Sequence, residues 1–300
     1  NIVEQAAELH RQGKEVLLVS SGAVGVGKQM LAKQALLQQS MSDIIALKGS
    51  SSDAHLVDQS IPVQNSLVSY KSACAAAGQL GIMSLYETMF AQFNITVSQV
   101  LVTAFDFTSP ERRKNIRYVL SQLFALGVVP ILNENDAVSS TFETTGTQSA
   151  FSDNDSLSAL VAAEMSAHLL ILLTDVLGVY DRPPNEAGAK VIDVYREEVG
   201  FTAGEKSTMG RGGMAAKVQA AVDAVRGGVR AVVVATGHDM NTIPHITQGK
   251  KVGTLFLKET LWDETASDAA VGLGTDSSTD GGGRAEDAFN EIEQVAKGAR

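Results

Sequence analysis

Apolar positions along the chain fall into two alternating patterns. Short runs that are apolar almost throughout occur as "EVLLVS" (15–20), "ITVSQVLVT" (95–103), "VVPIL" (128–132), "LLILLT" (169–174) and "AVVVA" (231–235). Runs of that length and composition predict strands buried on both faces, as in a parallel sheet covered by helices. Between them, segments 1–12, 70–93, 110–126, 155–167 and 214–226 carry helical patterning. Gly13, Gly127 and Gly227 each follow a predicted helix, where a C-terminal cap belongs. Alternation of strand and helix predicts an α/β three-layer sandwich around a mostly parallel central sheet.

Two segments break this rhythm. "LKGSSSDAHLVDQS" (47–60) is polar and reads as an inserted loop. From Trp262 to Arg284 the chain turns to Asp, Ser, Thr and Gly and ends in "DGGGR", which is linker chemistry. "AEDAFNEIEQVAKGAR" (285–300) then resumes an amphipathic helix, with Phe289, Ile292 and Val295 spaced for one face. A helix restarting after a linker is expected to open a further domain.

Composition narrows the function classes. With 44% apolar residues and only 5% aromatics, the 300-residue chain should build a large aliphatic core. A net charge of −10 argues against a nucleic-acid partner, which would need a basic patch. No run is long and apolar enough to span a membrane. Cys74 is the sole cysteine, in the small-residue stretch "ACAAAGQ", and reads as a buried structural thiol. The five histidines are scattered, without zinc-like spacing.

In open α/β sheets, ligands bind beyond the carboxyl ends of the strands. Three predicted strands end in polar or glycine-rich clusters. After the first comes "SSGAVGVG" (20–27), whose glycines permit close backbone approach and whose Ser21 supplies a hydroxyl. The order of Gly22, Gly25 and Gly27 does not match a dinucleotide fingerprint. After the third comes "NENDAV", with Asn133, Glu134, Asn135 and Asp136 in a row. Turn formation explains part of this, but four such residues are more than a turn requires, and Asp136 is the best candidate to hold a substrate ammonium. After the fourth comes "DVLGVYD", where Asp175 either meets a nucleotide or caps a turn. In "FSDNDSLSAL", one of Asp153, Asn154 and Asp155 suffices as a helix cap, which leaves the others for a ligand.

"TMGRGGMAAK" (208–217) does not fit the Walker pattern, because Lys217 comes four residues after Gly213. A helix starting near Met214 would place Lys217 in its first turn, where a cation opposes the helix dipole by roughly 0.3–1 kcal/mol. A bound phosphate reverses that sign. Gly210, Gly212 and Gly213 would let backbone amides approach the anion.

Taken in order, "VSSGAVGVGK", "NENDAV", "SDNDSLSAL", "LLTDVLGVYD", "GRGGMAAK" and "GKKVGTLF" resemble the amino-acid kinase family, and within it the glutamate 5-kinases. "ACAAAGQLGIMSLYETMF" is similar to the version in the kinase half of bifunctional Δ1-pyrroline-5-carboxylate synthases. The resemblance covers about residues 1–257. It implies a glutamate 5-kinase domain over 1–257, a linker over 258–284 and the start of a reductase domain over 285–300. It also implies that the family's opening strand, with its phosphate-holding lysine and glycine, is missing from this chain.

The resemblance further implies roles. Ser21, Asp136 and Asn154 would bind L-glutamate, with backbone contacts from Gly22 and Ala23. Thr174, Asp175 and the loop Arg211, Gly212, Gly213, Met214, Ala215, Ala216 and Lys217 would bind ATP. Lys217 would neutralise charge on the transferred phosphoryl group, and Asp155 would organise the catalytic groups. Arg211 stands where bacterial enzymes usually carry a small residue. ATP and Mg²⁺ are the implied cofactors, with no protein ligands assigned to the metal. The implied partners are L-glutamate, a second copy in a homo-oligomer and a reductase domain in the same chain. The implied compartment is the cytoplasm, with the mitochondrion as the alternative.

Phosphorylating a carboxylate suits a site without a catalytic His or Cys. The acceptor is ionised at neutral pH, so positioning and charge neutralisation suffice. The alternatives are a sister kinase for N-acetylglutamate, aspartate or UMP, and an amino-acid-binding regulatory module without turnover.

Overall fold

The computed structural model describes residues 2–38, 67–139, 151, 153–195 and 213–257, and the single positions 289 and 292. The 47–60 insertion, the 258–284 linker, Val295, Arg211 and Gly212 lie outside the described residues.

The chain opens with α1 (Ile2–Arg11), followed by β1 (Leu18–Val19) and α2 (Ala23–Gln38). Next come α3 (Leu67–Ala91), β2 (Val97–Val102), a 3-10 turn (Ala104–Phe107), α4 (Pro110–Ala125) and β3 (Val129–Glu134). Short α5 (Asp136–Ser139) precedes α6 (Asn154–Glu164) and β4 (Leu169–Thr174). The second half continues with α7 (Met214–Arg226), β5 (Ala231–Thr236), α8 (Thr242–Thr247) and β6 (Thr254–Leu257).

The strands hydrogen-bond as two three-stranded sheets, β1-β3-β2 and β4-β5-β6, where the pattern alone suggested one central sheet. The pairings between these strands are parallel except β5 with β6. Both sheets are covered on both faces, so the three-layer arrangement holds. In β3, Val129 and Ile131 pack against α1 and α3, while Leu132 packs toward α4 and α6. In β5, Val232 and Val234 face α6 and α7, while Ala231, Val233 and Ala235 face α8. This period-2 division is why the strands read as unbroken apolar runs.

Pro130 lies in the central strand of its sheet, a place proline usually avoids. Val129 donates to the Thr96 carbonyl on the β2 side, so alternation turns the Pro130 nitrogen toward β1. Pairing with β1 begins only at Ile131, so no ladder bond is lost.

Two devices join the halves. Helix α6 packs against β1 and β3 on one side and against β4 and α7 on the other. The Gln5 side chain of α1 accepts from the Ile243 amide at 2.8 Å and donates to the Asp239 carbonyl at 3.3 Å. At the far end of α6, Glu164 receives Arg113 at 2.9 Å and Arg117 at 2.5 Å, both from α4. Helix α6, which carries Asp155, is thereby held at its far end by two ion pairs.

Phe289 and Ile292 are both buried, at 1% and 0% exposure, in one cluster with Ala231, Val233, Ala235, Ile246 and Leu255. They close the face of the second sheet opposite α6 and α7.

Candidate active site

Each glycine of "SSGAVGVG" does a different job, and only one suits a ligand loop. Gly22 has φ +101°, a left-handed conformation that ends β1 and turns the chain into α2. Gly25 and Gly27 lie inside α2, which corrects the expectation that these glycines bring backbone to a ligand. A Cβ on Gly27 would overlap the Cys74 carbonyl, and one on Gly78 would overlap the Ala23 carbonyl. These glycines therefore let α2 and α3 touch backbone to backbone. Cys74 is buried in that contact, as expected of a structural thiol. Among the predicted C-terminal caps, Gly13 and Gly127 take φ +80° and +69°. Gly227 is the C-cap of α7, and the left-handed residue there is the next one, Gly228, at φ +103°.

The parallel register brings the strand ends to one rim. Val19 stands beside Leu132, and Leu132 beside Val100, so Ser20 through Ala23 and Asn133 through Asp136 emerge together. Ser21, Gly22 and the buried Ala23 form the turn into α2, and Asp136 opens α5. Asn133 is itself in β3 and 1% exposed. Its Nδ2 donates to Gln79 Oε1 at 2.9 Å, and its Oδ1 accepts from the Glu134 amide at 2.9 Å.

Helix α6 starts at the same rim, because α6 runs back toward the start of β4. Asp153 is its N-cap, accepting from the Ser156 amide at 2.8 Å, while the Ser156 hydroxyl satisfies the Asp153 amide at 3.1 Å. That capping box absorbs one acidic residue of "SDND". It leaves Asn154, whose Oδ1 is buried without a partner among the described residues, and Asp155.

Asp155 meets the opening of α7. Lys217 Nζ donates to both its carboxylate oxygens, at 2.7 and 2.9 Å. The two side chains are about one-fifth exposed, at 18% and 20%. Helix α7 begins at Met214, and its N-cap Gly213 has no side chain to satisfy the first-turn amides of Met214 and Ala215. The arrangement sets two parallel helices side by side with their starts together and a charged pair between them. A phosphate entering there would meet the α7 amides and the Lys217 ammonium together.

Thr174 ends β4, and its hydroxyl donates to Asp175 at 3.1 Å. The other aspartate of that motif, Asp181, serves the loop. It accepts from the Lys190 amide at 2.9 Å, and that bond, aided by Arg182, holds its carboxyl below the usual aspartate range. Among the described residues no group of three His, Cys, Asp or Glu side chains could hold a metal.

Sequence reasoning missed two polar groups of this rim, Gln79 and Ser20. The Ser20 hydroxyl and Gln79 Nε2 are buried and find no partner among the described residues. The available signal for Gln79 was a lone amide in a helix of alanines and glycine.

The chain matches the amino acid kinase family model over residues 1–236. It belongs to the amino acid kinase family. Among similar curated proteins, Delta-1-pyrroline-5-carboxylate synthase B of Arabidopsis thaliana is 41% identical over 286 residues, covering 90% of this chain and 36% of the synthase. Glutamate 5-kinase of Clostridium acetobutylicum is 37% identical over 262 residues, covering 86% of this chain and 85% of that enzyme. The chain thus spans about a third of the synthases it matches, and most of the shorter relative. Among solved structures, carbamate kinase from Giardia lamblia bound to AMP-PNP aligns with a TM-score of 0.53 at 17% identity, covering 85% of this chain and 87% of that one. An isopentenyl phosphate kinase aligns at 0.51 with 15% identity, covering 85% and 89%. At such identity these two establish the kinase fold alone. Within this amino acid kinase, the rim described above is the strand-end position where open α/β sheets bind ligands.

Proposed function

We propose that this kinase transfers the γ-phosphoryl group of ATP to the side-chain carboxylate of L-glutamate, giving glutamyl 5-phosphate, the first step of proline biosynthesis. The observation that carries the reading is the Lys217–Asp155 pair between two helix starts, in a chain similar to proteins named glutamate 5-kinase. A γ-carboxylate oxygen attacks the γ-phosphorus, the bond to the β-phosphate oxygen breaks, and ADP leaves. No proton moves, because the acceptor is ionised at neutral pH.

In this reading Lys217 leaves Asp155 for the phosphoryl oxygens as negative charge builds there, and Asp155 holds the ammonium in place before ATP arrives. Ser21, Gly22, Ala23, Asp136 and Asn154 form the glutamate site, with Asp136 on the ammonium. Thr174, Asp175 and the segment from Arg211 through Gly212, Gly213, Met214, Ala215 and Ala216 to Lys217 form the ATP site. Mg²⁺ bound to the phosphates would neutralise charge and order them for transfer. Such an ion takes one or two carboxylates plus phosphate oxygens, which suits a rim with single aspartates rather than a protein cage.

The length of the synthase relatives supports a kinase (1–257) joined through a linker (258–284) and the segment from about residue 285, whose Phe289 and Ile292 pack back on the second kinase sheet, to a reductase in the same chain. A reductase in the same chain would consume the labile acyl phosphate. Assembly as a homo-oligomer and a cytoplasmic rather than mitochondrial site of action complete the proposal.

The test is a hydroxylamine trap. With ATP, Mg²⁺ and L-glutamate, γ-glutamyl hydroxamate accumulates, and N-acetylglutamate in a parallel reaction does not replace glutamate. Glutamate binding without hydroxamate, in folded protein, would sink the kinase reading.

A further inference from the structure

An aromatic contact holds the chain where it enters α6. Phe151 stands two residues before the N-cap Asp153, and its ring meets that of Phe107 edge to face, with centroids 5.9 Å apart and planes at 85°. This is a preferred geometry for an aromatic pair, whose attraction depends on ring orientation as well as on buried area. Both rings are buried, in one cluster with Leu157 and Val161 of α6, Leu132 of β3 and Leu120 of α4.

Phe107 is the last residue of the 3-10 turn that follows β2, and that turn is rigid. Its Asp106 accepts from the Thr103 amide at 2.7 Å, the Thr103 hydroxyl at 2.8 Å and Arg112 Nη1 at 3.1 Å. The Arg112 guanidinium also lies 4.2 Å from the centre of the Phe105 ring. Thr103 continues directly from β2, and Arg112 belongs to the first turn of α4, so the turn is fixed to both elements. It forms a bracket that presents Phe107 to Phe151.

An apolar residue just outside an N-cap, packed near the fourth helical residue, sets the angle at which a chain enters its helix. Phe151 does this from one position further out, with Leu157 as the fourth residue after the cap. Asn154 and Asp155 are the first two residues of α6, so the entry angle decides where their side chains point. The bonds from Lys217 Nζ to the two Asp155 oxygens, at 2.7 and 2.9 Å, tolerate little displacement. Packing of α7 on α6 uses Ala159 and Ala162, further along the helix, so the first turn takes its placement from Phe151 and the cap.

We propose that Phe107 is a positioning residue for phosphoryl transfer. Through Phe151 it sets the entry of α6, and with it the placement of Asp155 against Lys217 and of Asn154 toward the substrate. The inference rests on the glutamate-kinase reading. It deepens that reading by naming a core residue, away from the reacting atoms, that fixes groups acting on them.

The experiment measures hydroxamate kinetics and urea unfolding of the full chain for the wild type, Phe107→Leu, Phe151→Leu, the double variant and Phe124→Ala. Leucine keeps the apolar character and removes the ring geometry. Phe124 packs in the same cluster from the far end of α4, so its truncation reads the loss of core packing alone. Phe107→Leu and Phe151→Leu should each lower kcat about tenfold to a hundredfold, the scale of a misplacement of up to about 1 Å, with the KM for ATP unchanged. Phe124→Ala should lower the urea midpoint yet keep the wild-type kcat. The double variant should lose no more kcat than either single one, because the two rings act through one contact. Losses that multiply in the double variant, or a Phe107→Leu kcat equal to that of Phe124→Ala, would overturn the inference. Hydrogen exchange at the Ser156 and Leu157 amides, which both bond to Asp153, gives a readout without turnover. Both should exchange faster in Phe107→Leu and not in Phe124→Ala, and equal exchange in the two variants would also overturn the inference. Failure of the wild type to make hydroxamate, with the exchange difference present, would strike the glutamate-kinase reading and leave the placement of α6 by Phe107 standing.

Discussion

Lys217 and Asp155, 62 positions apart in sequence, form a two-pronged contact of 2.7 and 2.9 Å between the first turns of two helices. Asp155 is at home there, because a carboxylate in the first turn of α6 is stabilised by the helix dipole. Lys217 is not at home in the first turn of α7, and its pairing with Asp155 offsets that cost. The pair therefore stores a cation beside amides that favour an anion, the requirement for receiving a phosphate.

Replacing Lys217 with Met should lower kcat for hydroxamate formation by about a hundredfold to a thousandfold, the scale of losing one charge-stabilising group in the transition state. The KM for L-glutamate should move little. Stability should fall by a margin between the roughly 0–1 kcal/mol of an exposed pair and the roughly 3–5 kcal/mol of breaking a buried one, since both groups are about one-fifth exposed. Steady-state kinetics and urea unfolding measure the two effects. A Lys217→Met enzyme with wild-type kcat would remove Lys217 from the chemistry.

Gly27 and Gly25 lie two residues apart in α2 and should respond oppositely to alanine. At Gly27 the added methyl overlaps the Cys74 carbonyl, backbone that cannot step aside, so α2 and α3 must separate. A loss of about 1–3 kcal/mol, or more, is expected from such overpacking. At Gly25 nothing lies within 4 Å, and a helix-interior glycine costs about 0.5–1 kcal/mol relative to alanine, so Gly25→Ala should stabilise by up to that amount. Denaturant midpoints of the two variants decide it. Equal destabilisation would mean that the α2–α3 contact is not made through Gly27.

Phe289 stands 32 residues beyond the last residue of β6, yet it is 1% exposed against β5 and β6. Phe289→Ala should therefore destabilise the kinase core by about 3–5 kcal/mol, as for other buried aromatic truncations. Hydrogen exchange should show the added opening in β5 and β6, not in β1 to β3. Unchanged protection of β5 in the variant would mean that the segment does not dock there in solution.

Much of the fold was legible because it depends on local chemistry. Runs such as "AVVVA" and "LLILLT" have the composition of strands covered on both faces, and β4 and β5 formed there. Helix α2 was not legible as a helix, because Gly22, Gly25 and Gly27 look alike in one dimension. Only contact with α3 distinguishes the left-handed turn at Gly22 from the packing site at Gly27. Phe289 and Ile292 were legible as one apolar face, but their spacing does not say what that face covers.

For this protein, the sequence by itself determined strands β1 to β5 and helices α1, α3, α4, α6 and α7, which strand ends carry polar clusters, and that Asp153, Asn154 and Asp155 exceed what one helix cap needs. Those properties follow from backbone propensity and burial period, which act over a few residues. Tertiary structure alone decided that Asp153 is the cap and Asp155 the partner of Lys217, that Gln79 fixes Asn133, and that the strands divide into two sheets joined by α6. Each of these joins residues far apart along the chain, and such pairings depend on how whole layers pack.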